Sequence, residues 1–99
     1  MNTKPLQDKI ILVTGASYGI GEAASYGFAQ AGATVILLAR TEDKLNAIYD
    51  DFMSQGLPEP VIVAFDLETA PEEAYFQLRD MIQKEFGRLD GLLLNAAML

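Results

Sequence analysis

The chain has 99 residues, 51% of them apolar and 21% charged, with a formal net charge of −7 and neither cysteine nor histidine. That is enough for one small domain with a modest core, and it rules out disulfides, a cysteine nucleophile, thiolate or imidazole metal ligands and any His-based triad within it. With 7 basic against 14 acidic side chains a nucleic-acid surface is not expected, and no apolar stretch nears the ~18 residues of a membrane span.

Met1 to Lys9 lacks the apolar segment of a secretory signal, so the expected compartment is the cytoplasm. Ile10-Ile11-Leu12-Val13 then has the continuous apolar character of a buried parallel strand. Thr14-Gly15-Ala16-Ser17-Tyr18-Gly19-Ile20-Gly21 follows, after which Ile20, Ala23, Ala24, Gly27, Phe28 and Ala31 recur at helical spacing. A second strand is predicted over Thr34–Ala39, and a helix over Glu42–Gln55 with Leu45, Ile48, Tyr49 and Phe52 on one face. Pro58 and Pro60 break the chain before a third strand, Val61–Phe65. A third helix, Ala70–Phe86, aligns Tyr75, Leu78, Ile82 and Phe86, with Thr69 and Glu72 predicted to form a reciprocal capping box at its start. Gly32, Gly56 and Gly87 stand where left-handed glycines end helices. A fourth strand, Leu92–Leu94, leads into Asn95-Ala96-Ala97.

Strands alternating with helices of this length imply an α/β fold, a doubly wound parallel sheet with strand order 3-2-1-4. Ligands of such sheets bind beyond the carboxyl ends of the strands. The glycine turn, Ala39-Arg40, Asp66-Leu67 and Asn95-Ala96-Ala97 all fall there, so four candidate contacts converge on one rim. Gly15 and Gly19 permit positive φ in the turn, and Gly21 permits close approach of helix to sheet. A strand, a glycine turn and a helix N-terminus together direct free backbone N–H groups at a phosphate; the plainer reading is an ordinary strand-to-helix turn. A P-loop NTPase is disfavoured because Glu22 follows Gly21 where Lys-Ser or Lys-Thr is required, and a methyltransferase rests on fold grounds alone.

Taken in order, Thr14-Gly15-Ala16-Ser17-x-Gly19-Ile20-Gly21, Leu37-Leu38-Ala39-Arg40, Asp66-Leu67 and Asn95-Ala96-Ala97 resemble the short-chain dehydrogenase/reductase family across essentially the whole chain. The three residues between Gly15 and Gly19 are similar to its oxidoreductase branch. The stretches Ile10 to Thr14 and Leu89 to Ala97 also resemble a bacterial subgroup of reductases. The resemblance implies a Rossmann fold, a nicotinamide dinucleotide and hydride transfer between an alcohol and a ketone.

By that resemblance, Ser17, Tyr18 and Ile20 line the pyrophosphate through backbone N–H groups and the Ser17 hydroxyl, and Gly15, Gly19 and Gly21 shape the cofactor-binding turn around them. Two roles are open to Tyr18: contact near the adenosine ribose, or a cover for the turn. Arg40 stands next to the position where an NAD site carries an acid, here Ala39, and a guanidinium can hold a ribose 2′-phosphate by two parallel bonds. NADP(H) is therefore favoured over NAD, although many NADP-dependent relatives carry a basic residue at the Tyr18 position. The alternative is that Arg40 solvates the loop or pairs with Glu42 or Asp43. Asp66 and the Leu67 N–H are implied to meet the adenine, unless Asp66 caps the following turn. Asn95 is implied to brace the central strands, while Ala96 and Ala97 leave room for the ribose; Ala97 replaces the commoner glycine.

No catalytic residue can be carried over. The family uses a tyrosine with a lysine four residues on, but here Tyr18 is followed at that spacing by Glu22, Tyr26 by Gln30, Tyr49 by Met53 and Tyr75 by Arg79. Tyr75 reads as a core anchor and Arg79 as a solvated charge. Stopping after an apolar fourth strand would leave an unpaired edge. Residues 1–99 are thus expected to be the NADP(H)-binding Rossmann part of a longer oxidoreductase, inactive alone, whose small carbonyl or alcohol substrate and homo-oligomeric state are set elsewhere. The reading from a different class is a dinucleotide-binding or interaction module without a catalytic half.

Overall fold

The computed structural model describes residues 4–66 and 69–94. The apolar runs form strands β1 (Ile10–Thr14), β2 (Thr34–Ala39), β3 (Val61–Ala64) and β4 (Gly91–Leu93), alternating with helices α1 (Gly19–Gln30), α2 (Glu42–Ser54) and α3 (Glu72–Phe86). The strands are parallel and stand in the order β3-β2-β1-β4, the doubly wound arrangement. In register, Leu12 lies opposite Ile36 and Leu92, and Leu37 opposite Ile62.

Alternation along the strands divides the core into two layers. Ile11, Val13, Val35, Leu37 and Ala39 pack against Ala29 of α1 and Leu45, Ile48 and Phe52 of α2. Ile10, Leu12, Ile36 and Leu38 project to the other face, where α3 contributes Ile82 with Leu78, Met81 and Phe86. The first layer has two helices and the second has one. An open groove of about 270 Å³ lined by Leu12, Tyr75, Leu78, Ile82 and Leu89 therefore remains beside α3, and Leu92 is 53% exposed.

Three local expectations are corrected. The buried row of α1 is Gly21, Ser25 and Ala29, not the bulkier apolar series beginning at Ile20, which is 75% exposed. Small side chains at every fourth position let the helix lie close to the sheet, and the buried Ser25 hydroxyl is satisfied by donating to the Gly21 carbonyl at 2.7 Å. The Thr69–Glu72 capping box does not form, because α3 starts at Glu72 with Pro71 as its cap. A residue preceding proline is pushed away from helical geometry, so Ala70 cannot belong to the first turn. Tyr75 is 42% exposed and meets Phe65 edge-on at 5.3 Å; it shields the border of the core rather than anchoring its centre. Gly32, Gly56 and Gly87 do carry the positive φ values that end α1, α2 and α3.

The amino-terminal end of the sheet is fastened by Asp90. Its Oδ2 accepts the Ile10 N–H at 2.8 Å and the Arg88 Nε–H at 3.0 Å, and its own N–H donates to the Ile10 carbonyl at 2.8 Å. The Ile10 N–H, helped by the charges of Arg88 and Lys9 and opposed by desolvation, holds the Asp90 carboxyl below the usual carboxylate range.

Candidate functional site

The carboxyl ends of the strands form the opposite edge. There β1 runs into a turn in which Gly15 has φ 63° and Gly19 has φ 62°. A Cβ at Gly19 would meet nothing within 4 Å, so the left-handed backbone, and not crowding, requires glycine there. The Ala16 N–H donates to the Leu38 carbonyl at 3.1 Å, tying the turn to β2. Ala16 is fully buried and Ser17 is 8% exposed, whereas Tyr18 is 55% exposed. Tyr18 occupies the cap position of α1 without a side-chain bond to it. The first N–H groups of a helix have no intrahelical acceptor, so α1 brings several donors and a positive dipole end to this turn.

Arg40 directly follows Ala39 at the end of β2 and is exposed. Among the described residues it forms no ion pair with Glu42 or Asp43. Asp66 lies two residues past the end of β3, half-buried, and its carbonyl accepts the Ala70 N–H at 2.9 Å. Thus Gly15, Ser17, Tyr18, Gly19, Ile20, Gly21, Arg40 and Asp66 lie along one edge. Leu67, Asn95, Ala96 and Ala97 lie outside the described residues.

One charged residue at this edge escaped the sequence reading. Lys44, in the first turn of α2, places Nζ 5.3 Å from the centre of the Tyr18 ring. Its sequence signal is slight, a single base following the acids Glu42 and Asp43. The two side chains border an open groove of about 490 Å³ between α1 and α2, also lined by Ser17, Glu22, Tyr26, Ile48 and Asp51.

The tyrosines with perturbed acidity are tuned away from proton transfer at neutral pH. Burial, and then the hydrogen bond donated to Asp51 at 2.5 Å, push the Tyr26 phenol up to about 12. The bond from Tyr49 to the Glu59 carboxylate raises Tyr49 as well. A general base must lose its proton near the working pH, so neither is suited to the task. Among the described residues no cluster of acidic side chains could hold a metal ion, and no helix is long and apolar enough to cross a membrane. The arrangement brings the glycine turn, the α1 N-terminus with its backbone donors, and the Arg40 guanidinium to one edge of the sheet.

Comparison with known proteins bears on the family and the fold. The sequence profile described as short chain dehydrogenase matches residues 9–99. The chain belongs to the short-chain dehydrogenase family. It is similar to the uncharacterized oxidoreductase YciK of Escherichia coli (strain K12), 45% identical over 94 residues that make up 95% of this chain and 37% of the relative. A short-chain dehydrogenase structure from Pseudomonas syringae superimposes with a TM-score of 0.91 at 46% identity, covering 98% of this chain and 40% of that one. A family member from Escherichia coli CFT073, solved in complex with NADPH, gives 0.90 at 43% identity, covering 100% of this chain and 41% of that one. The chain therefore spans about two fifths of the length of these short-chain dehydrogenases.

Proposed function

We infer that this chain is the NADP(H)-binding part of a cytoplasmic short-chain oxidoreductase acting on a small carbonyl or alcohol substrate. The observation that carries the reading is the convergence on one sheet edge of the left-handed Gly15–Gly19 turn, the α1 N-terminus and Arg40. Likeness to a structure complexed with NADPH at 43% identity supports the choice of cofactor.

The residues fit such a group. Glycine at position 19 leaves open space over the turn, α1 offers donors for a pyrophosphate, and Arg40 offers a fork for a ribose 2′-phosphate where an acid would repel it. Ser17 and the first-turn N–H groups of α1 would hold the diphosphate, and Asp66 and Leu67 the adenine. Asn95 would brace the central strands, and Ala96 and Ala97 would leave room for the ribose. When bound, the nicotinamide supplies a hydride donor or acceptor. This chain's own part is to bind and orient, and the proton-transfer tyrosine and its lysine belong to polypeptide beyond residue 99. Sequencing the encoding DNA past Leu99 tests that division, with a Tyr-x-x-x-Lys expected. Titration calorimetry of the intact protein tests the cofactor: tighter binding of NADPH than of NADH is expected, and absence of heat with both refutes the reading.

A further inference from the structure

Lys44 of α2 meets Tyr18, the residue that caps α1, and α2 itself begins three residues after β2 ends, with Arg40 and Thr41 between. The lysine is flanked in sequence by Glu42 and Asp43 yet forms an ion pair with neither among the described residues; its charge rests over the tyrosine ring. Such an exposed ring contact is weaker than a charge-assisted hydrogen bond to phosphate, so it holds the ammonium in place without committing it. The groove below is less welcoming to an anion. Asp51 lies there, engaged by the Tyr26 hydroxyl at 2.5 Å and by Gln55 Nε2 at 3.1 Å, and Glu22 projects from the first turn of α1. An anion is thereby directed to the Tyr18 end of the groove, where Lys44 stands.

We propose that Lys44 is a second cation for the ribose 2′-phosphate, parked on the Tyr18 ring and transferred to the phosphate when the nucleotide binds. The inference rests on the NADP(H) reading and extends it to a residue outside the glycine turn and the β2 end. It also accounts for Tyr18 at a position without a base: the tyrosine positions a base supplied by α2.

Calorimetry on the full chain with adenosine 2′,5′-bisphosphate, AMP and inorganic phosphate tests this. Wild type should prefer the bisphosphate, and Lys44→Gln should weaken that ligand about tenfold while leaving AMP unchanged, as loss of one charge-assisted contact predicts. Lys44→Arg should restore most of the loss, and unchanged AMP binding shows that the variants fold. If Lys44→Gln keeps the full preference while Arg40→Ala erases it, the proposal is overturned and the cofactor reading stands. No preference in wild type overturns the cofactor reading itself. If inorganic phosphate binds as tightly as the bisphosphate, Lys44 serves a general anion site and the proposal also falls.

Discussion

The Ile10 N–H and the Asp90 carboxylate meet at 2.8 Å although 80 residues separate them in sequence. Because Asp90 returns a backbone bond to Ile10, the pair locks β4 beside β1 at the edge opposite the candidate site. Its folded-state pKa lies below the unfolded value, so its contribution to stability is complete above the ordinary aspartate range and is lost as pH falls through the depressed value. Thermal melts followed by circular dichroism should show this acid-side decline. Asp90→Asn should melt lower at neutral pH and show a shallower decline.

The alkaline limb should carry the opposite signature. Tyr26 is raised to about 12, so its contribution is intact below the ordinary tyrosine range near pH 10 and fades as pH climbs towards 12. Ultraviolet titration should contain a late phenol ionisation, and Tyr26→Phe should remove it.

Phe52 is fully buried, wedged under the sheet and edge-on to Tyr26 at 4.9 Å. Truncation to alanine leaves a cavity that the two flanking helices cannot both close, and a loss of about 3–5 kcal/mol is expected. In a domain this small that is most of the stability, so urea titration should show a strongly left-shifted or vanished transition.

Gly19 and Gly32 separate two reasons for glycine. Gly19→Ala meets open space and suffers only from its positive φ, at a cost of roughly 1–2 kcal/mol. Gly32→Ala combines a φ of 103° with a Cβ only 3.0 Å from Gln7 Cα and Lys4 Cβ. Denaturant titration should rank Gly32→Ala as the more damaging to stability, while nucleotide binding should suffer more from Gly19→Ala relative to its stability cost.

Arg40→Ala should weaken NADPH while leaving NADH nearly unchanged in the intact protein. Removal of one charged bond costs about 1.5–3 kcal/mol, a loss of roughly tenfold or more in affinity. Equal losses for both nucleotides would place Arg40 away from the 2′-phosphate.

Much of the fold could be read before any coordinates. β1 and β2 are runs long and apolar enough to have one solution, and Gly32, Gly56 and Gly87 mark helix ends because few other residues accept left-handed geometry. β3 ends one residue earlier than expected and β4 is shifted by one residue at both ends, as expected for short strands ended by their neighbours. The α1 face was misread because hydrophobicity favours Ile20, while close approach to the sheet favours Gly21, Ser25 and Ala29. The capping box failed on Pro71, whose restriction on Ala70 outweighs two capping bonds. At the site, the turn and Arg40 are adjacent to strand ends and so visible in one dimension. Lys44 reaches Tyr18 only through the packing of α1 beside α2, which no local pattern encodes.

The bond from the Ala16 N–H to the Leu38 carbonyl fixes the curvature of the glycine turn by protein contacts alone. A guest arriving there finds its cradle already cast, and little chain entropy is forfeited on docking. Amide exchange at Ala16 should accordingly be slow in the empty protein, and saturating nucleotide should slow it little further.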